Sequence, residues 1–437
     1  MVISPQPVSR TTRIACFIVA ILSVASLAYP PLPVLTLLGD SEQYRQAGEA
    51  LLSGDILRPF NEQVSTSHIA VSLRPPLFPL LLGITTHLPL LHPDTALITA
   101  HIVLGCLLLV AATVALWGSV NPLLTTLAIG FALYSVKQAA WGIMSEWLAM
   151  CLLFLAALLY LAWISRTSPH LALAVSLCLS LAILTRAALL PWFALPLIMI
   201  LQAPRGTHKF TALAISTGLL PLVLWGAINL HRTGTFSVLP YEGLNLLATA
   251  RSLGTIPSAP NDSDLERRLI TDINERGITA PDTAFTPTGV HRWEGEFYGA
   301  FHINFNVTTD TLRSLTMPNA GRPYSLATRG LRAHTDRYRR FLWGGVIALT
   351  CDYLPLIALC AIATAWLAQR TPQTARWALG VITLCVISLT YLVVIFSSML
   401  WLHRYIIPAQ PILVFCLAVS ATRLVGTLLQ RRLTTEL

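Results

Sequence analysis

The sequence predicts an all-α polytopic membrane protein with about ten transmembrane helices, interfacial helices in the first outer loop and a mainly helical extracytoplasmic loop region. Three observations carry this prediction. The 437 residues are 54% hydrophobic and only 11% charged, with a mean hydropathy of +0.65, where soluble domains carry roughly 25% charged residues. Apolar runs near the ~20 residues needed to cross a bilayer recur from one end of the chain to the other. The basic residues behind the net charge of +9 are scattered among short connectors, a pattern of positive cytoplasmic loops and not of a nucleic-acid surface.

The elements follow in chain order. Arg10 and Arg13 precede an apolar run from Ile14 to Leu38, longer than the apolar region of a signal peptide, so an uncleaved first span is expected. Further spans are expected at about 95–117, 122–137, 143–164, 170–185, 187–203, 210–229, 342–368, 377–398 and 405–425. The runs 170–185 and 187–203 are short and meet at Arg186, so a single broken unit is the alternative. Pro76 to Leu91 is apolar but too short for a firm span and is expected to lie in the outer interface.

With the N-terminus inside, the inner connectors hold Arg166, Arg205 with Lys209, Arg370 with Arg376, and Arg431 with Arg432. Asp40, Arg74, Glu146, Arg186, the loop 230–341 and Arg404 then share the opposite face. The chain thus divides into an N-terminal transmembrane module over 1–229, which includes the first outer loop 39–94, an extracytoplasmic region over 230–341, and C-terminal transmembrane helices over 342–437. In the extracytoplasmic region Leu265, Leu269, Ile270 and Ile273 recur at helical spacing, and a second helical stretch runs from Tyr324 to Arg340.

Few residues are placed to do chemistry. Asp40 precedes an amphipathic stretch whose apolar stripe is Tyr44, Ala47, Leu51 and Leu52, expected to lie on the membrane surface. With Gln43 three residues on, Asp40 suits a helix N-cap in a capping box, with Gly54 ending the helix, as well as it suits a base. Arg74, fixed by Pro75 and Pro76, is either a snorkelling arginine or a clamp for a lipid phosphate. Glu146 opens an apolar span, where the helix dipole favours a carboxylate and where a cavity-facing acid would also stand. Lys137 and Arg186 suit snorkelling, and Arg404 with Tyr405 suit interface anchors. All eight cysteines lie in apolar segments, and the eleven histidines form no ligand-like pair. Neither a disulfide framework nor a metal or other cofactor is therefore expected.

The order GDSEQYRQAGEALLSG, RPPLFPLLLG, MSEWLAMCLLFLAALLYL, LAILTRAALLPW, NLHRTGTFSVLPYEGLNLL and HRYIIPAQPIL resembles the GT-C superfamily of membrane glycosyltransferases. The resemblance is to its protein O-mannosyltransferase and aminoarabinose-transferase branch, and it runs through nearly the whole chain. It implies an inverting transferase that takes a sugar from a polyprenyl-phosphate donor. The acceptor would be a lipid, a polysaccharide or a protein. The site would face the periplasm from a bacterial inner membrane, among membrane lipids and without nucleic acid. By motif, Asp40 matches the first-loop acid that serves as base, and Arg74 the basic residue near the donor phosphate. Glu146 matches a recurrent acid at the start of a span, and Arg404 with Tyr405 match the late motif facing the site. Glu42, Tyr44 and Arg186 complete the expected substrate-binding set. Relatives often carry a second acid beside the first; here Ser41 stands there and Glu42 follows. A flippase for lipid-linked sugars, or an inactive relative that binds them, is the alternative; the former places ionisable groups nearer the midplane.

Overall fold

The computed structural model describes residues 10–28, 41–54, 74–87, 93–116, 145–239, 243–285, 296–314, 322–344, 372–398 and 408–417, with short pieces at 126–127, 130, 133–134, 358, 362 and 420. Regular structure among these residues is helical, with no strand. The helices are α1 (Arg10–Ala28), α2 (Ser41–Leu52), α3 (Leu77–Thr86), α4 (Pro93–Leu116), α5 (Ser145–Arg166), α6 (Pro169–Thr185), α7 (Ala194–Gln202), α8 (His208–Gly218) and α9 (Leu220–Thr233). After these come α10 (Gly243–Leu253), α11 (Asp264–Arg276), α12 (Glu296–Ser314), α13 (Arg322–Ala333) and α14 (Pro372–Ser398).

Two described segments are long and apolar enough to cross a membrane, Ser145–Arg166 and Ala375–Ile395. The stretch expected as one span at 210–229 is α8 and α9, bent by 45° at the break; taken as one span, the pair makes a third. The expected spans 122–137 and 342–368, and the first span beyond Ala28, lie wholly or largely outside the described residues; of 405–425 the described part is 408–417 and 420, helical over 410–417. The 170–203 stretch takes its broken form: α6 ends at Thr185, Arg186 is extended (φ −151°, ψ 104°), and a 3-10 segment Ala187–Phe193 leads into α7.

Helix α5 is the spine of the apolar body. Its Trp147, Phe154, Tyr160 and Trp163 are fully buried. Ala172, Val175, Leu179 and Ala182 of α6 and Val381, Leu384, Tyr391 and Leu392 of α14 belong to the same core. Phe154 meets Phe415 edge to face with ring centroids 5.5 Å apart.

The segment 39–94, expected to carry a surface-lying helix, packs that helix on protein. Helix α2 buries Ser41, Tyr44, Ala47, Gly48 and Ala50, while Leu52, expected in the apolar stripe, is 43% exposed. The buried face meets protein: a Cβ on Gly48 would lie 2.6 Å from the Pro79 carbonyl oxygen and 3.1 Å from the Gly83 nitrogen. Only a residue without a side chain lets α2 and α3 approach this closely, as small residues do where helices cross in membranes. The helix stops before Gly54, whose φ of +78° suits a residue without Cβ. At ten residues, α3 is too short to span a bilayer.

The region 243–333 has its own core of Leu244, Leu247, Leu269, Ile270, Ile273 and Leu326. The helical period seen in the sequence is α11, begun by a capping box in which Ser263 and Glu266 each satisfy the other's backbone N–H. The second helical stretch is α13 followed, after a break at His334, by a helical run at 335–344. Polar side chains cross-link this unit. Arg251 donates to the Ile273, Asn274 and Gly277 carbonyls at the end of α11. Asn304 pairs with both backbone groups of Ile278, and Asn274 does the same for Ile256. Arg329 grips Asp262 with two parallel bonds of 2.7 Å.

Those bonds hold the Asp262 carboxyl below the usual carboxylate range. The folded unit therefore binds fewer protons than the unfolded chain in acid. The stabilisation is complete above the ordinary Asp value of about 3.9 and is lost as pH falls through the lower, folded value. Protection of the amides in the loop 254–263, taken relative to the intrinsic exchange rate at each pH, should fall on acidification in the wild type. In Asp262→Asn it should already be lower at neutral pH and change less with pH; an unchanged acid response in the variant would contradict this linkage.

Candidate functional site

The N-terminal ends of α2 and α5 and the extended Arg186 meet in one polar cluster. Glu146 sits in the first turn of α5, where the helix dipole favours its charge. Its carboxylate oxygen Oε1 lies 2.7 Å from Arg186 Nη1, and the two side chains are 2% and 8% exposed. Arg186 reaches it because the chain is extended between α6 and the 3-10 segment, which turns the guanidinium back into the protein. Arg186 is thus a buried ion-pair partner and does not snorkel.

From this pair the cluster extends through hydroxyl groups. Arg186 Nη1 also donates to Ser145 Oγ at 3.3 Å, and Ser145 Oγ lies 3.0 Å from the Tyr44 hydroxyl. Tyr44 is buried, with its ring edge-on to Phe78 at 4.9 Å. Phe78 in turn stacks on His101, whose carbonyl accepts a bond from Trp147 Nε1. Tyr44 therefore docks α2 onto α3, α4 and α5.

Arg74 closes the near side. Its guanidinium lies 4.9 Å from the centre of the Tyr44 ring, a cation–π distance, and its Nε and Nη2 both donate to Gln43 Oε1 at 3.2 and 2.8 Å. Through these two bonds Gln43 orients Arg74. The rigid Arg-Pro-Pro backbone and the Gln43 amide together aim the guanidinium where a snorkelling side chain would be mobile.

Of the residues expected from sequence, Tyr44, Arg74, Glu146 and Arg186 come together. Glu42 lies on the exposed face of α2 and accepts a bond from Gln46 at 3.1 Å, turned away from the cluster. Asp40, bonded directly to Ser41 at the start of α2, lies outside the described residues, as do Lys137, Arg404 and Tyr405. Sequence reasoning missed two members. Ser145 had the signal of a hydroxyl beside Glu146 at a span's start; Gln43 was legible only as a cap. Chemically, the cluster joins a cation held at the loop surface to a buried, neutralised pair, a framework suited to fixing an anion.

Removing one member of a buried ion pair leaves the other charge uncompensated, at about 3–5 kcal/mol. Glu146→Gln and Arg186→Met should each destabilise the protein by this order in thermal or denaturant unfolding in detergent. The double variant should cost clearly less than the sum, and an additive double would show that the pair is not the energetic unit described here. The chain matches no protein-family model, no curated protein and no solved structure, so the chemistry of this cluster rests on its own side chains.

Proposed function

We propose that the chain is an inverting glycosyltransferase that moves a sugar from a polyprenyl-phosphate donor to an acceptor hydroxyl or phosphate. The observation that carries this reading is Arg74, fixed by Gln43 and Tyr44 beside the start of α2, the helix that directly follows Asp40. In the proposed step the acceptor oxygen attacks the anomeric carbon while the bond from that carbon to the phosphate oxygen breaks. Asp40 takes the acceptor proton, and Arg74 stabilises the departing phosphate. Tyr44, Ser145, Glu146 and Arg186 hold that geometry from behind. Arg404 and Tyr405 are assigned to the same site by motif, and the exposed Glu42 is left as a contact for the acceptor.

The membrane setting belongs to the proposal: about ten spans, the N-terminus inside, and the site facing the periplasm of a bacterial inner membrane. A lipid-anchored donor explains why a phosphate clamp would stand beside a short helix such as α3, since the lipid tail keeps the phosphate at headgroup depth. A second reading has one observation in its favour. The breaks at Arg186 and between α8 and α9 are of the kind on which transporters build sites, so a flippase for lipid-linked sugars is the competing function.

The purified protein should release free polyprenyl phosphate from a member of a synthetic polyprenyl-phosphate-sugar panel, given acceptor. Asp40→Asn should lower turnover by about 10²–10⁴-fold with donor binding retained. Full activity in the variant would reduce Asp40 to a helix cap. Absence of release from every donor, together with lipid scrambling in proteoliposomes, would instead select the flippase.

A further inference from the structure

A second site is suggested by the helical run 335–344 and the end of α13, away from the cluster above. We propose that this stretch is a docking surface for the anionic phospholipid headgroups of the membrane that holds the chain. The proposal is independent of the glycosyltransferase reading.

The inner face of the run is locked to the protein. Arg337 donates to the Leu253 carbonyl at 2.6 Å and the Ala280 carbonyl at 3.2 Å, and pairs with Asp282 at 2.6 Å. Phe341 is fully buried and stacks on Phe297 with centroids 4.6 Å apart. The orientation of the run is therefore set before any ligand arrives, which lowers the ordering cost of binding.

The outer face is cationic and carries one large apolar group. Arg332 and Arg339 are exposed, Arg340 is half exposed, and the Trp343 ring is 66% exposed. The acids present do not neutralise it. Asp282 is shared between Arg337 and Arg340, one carboxylate for two guanidiniums that both lie over the Phe285 ring. Asp336 is 3.9 Å from Arg339 with both side chains highly exposed, a contact of little worth in water. Four arginines thus stand against one acid within residues 332–340, and the excess is positive even with Asp282 counted.

Position identifies the occupant. From Phe341 the sequence runs apolar to Leu367 with Asp352 as its one charged residue, so the patch stands at the threshold of an apolar run long enough to enter a bilayer. Arginines attract anionic headgroups over a short range, and an indole at the same level is at home among headgroups and unfavourable in bulk water. A soluble acidic partner would account for the arginines alone. A lipid surface accounts for the arginines, the tryptophan and their placement together.

The test uses the full-length protein in mixed micelles titrated with equal amounts of phosphatidylglycerol and phosphatidylcholine, with bound lipids counted by native mass spectrometry. The wild type should prefer phosphatidylglycerol. Combined Arg332→Gln, Arg339→Gln and Arg340→Gln should lower that preference by about tenfold or more, whereas the three Lys replacements should keep most of it. Equal binding of both lipids by the wild type, an unchanged preference in the Gln variant, or its loss in the Lys variant as well would each overturn the proposal.

Discussion

The buried pair of Glu146 and Arg186 is the constraint on which the docking of α2 depends. Two charges removed from water are tolerable only when they meet each other in good geometry. That requirement explains several features at once. The chain breaks between α6 and the 3-10 segment so that Arg186 can face inward. The acid sits in the first turn of α5, where the dipole adds to its stabilisation. Ser145 stands beside it and relays the polar contact to Tyr44. Through Tyr44 the pair sets where α2 docks, and through α2 it sets where Gln43 holds Arg74. A change at Glu146 would therefore be felt at the loop surface without any direct contact between Glu146 and Arg74.

How much of this was legible in the sequence depends on how local each signal is. The apolar span opening near Glu146 and the helical period of Leu265, Leu269, Ile270 and Ile273 in α11 rest on neighbouring residues, and composition or short spacing reveals them. The break at Arg186 was half visible, because two apolar runs too short to span alone met at one charged residue. What could not be read is which distant side chain each charge would meet. Nothing in the motif around Arg186 marks Glu146 as its partner. Gln43 sat three residues after an acid, which is a local cap signal, yet tertiary structure committed its amide oxygen to Arg74. Of the stripe expected on α2, Tyr44 and Ala47 lie on the buried face while Leu52 is exposed, and the partner of that face is protein where lipid was expected. The glycine that allows α3 to approach carries no periodic signal, since its effect is the absence of a side chain.

The two parts of the molecule are held together by different means. In the apolar body, close packing of small residues and shared hydrogen bonds recur: the Gly48 contact of α2 with α3, and the bond from Ser180 to the Gly218 carbonyl where α6 meets α8. The region 243–333 has only a modest apolar core and relies on side chains that read backbone groups: Arg251 on the last carbonyls of α11, Asn304 on Ile278, Asn274 on Ile256. Each satisfies buried peptide groups that irregular chain would otherwise leave unpaired.

The junction between the two parts combines both means. Leu253, Ala280, Ala284, Phe285, Phe297 and Phe341 all belong to the core of the apolar body, although they lie in and around the polar loop. Beside these apolar contacts Arg337 is bonded to Leu253, Ala280 and Asp282 while its guanidinium covers Phe285. Apolar contacts alone are not directional. Arg337 orients the run 335–344, since its planar donors must meet three acceptors on two separate segments at once. The run 335–344, with the exposed arginines and tryptophan of 332–343, is therefore held in one orientation against the segments at 253 and 280–282.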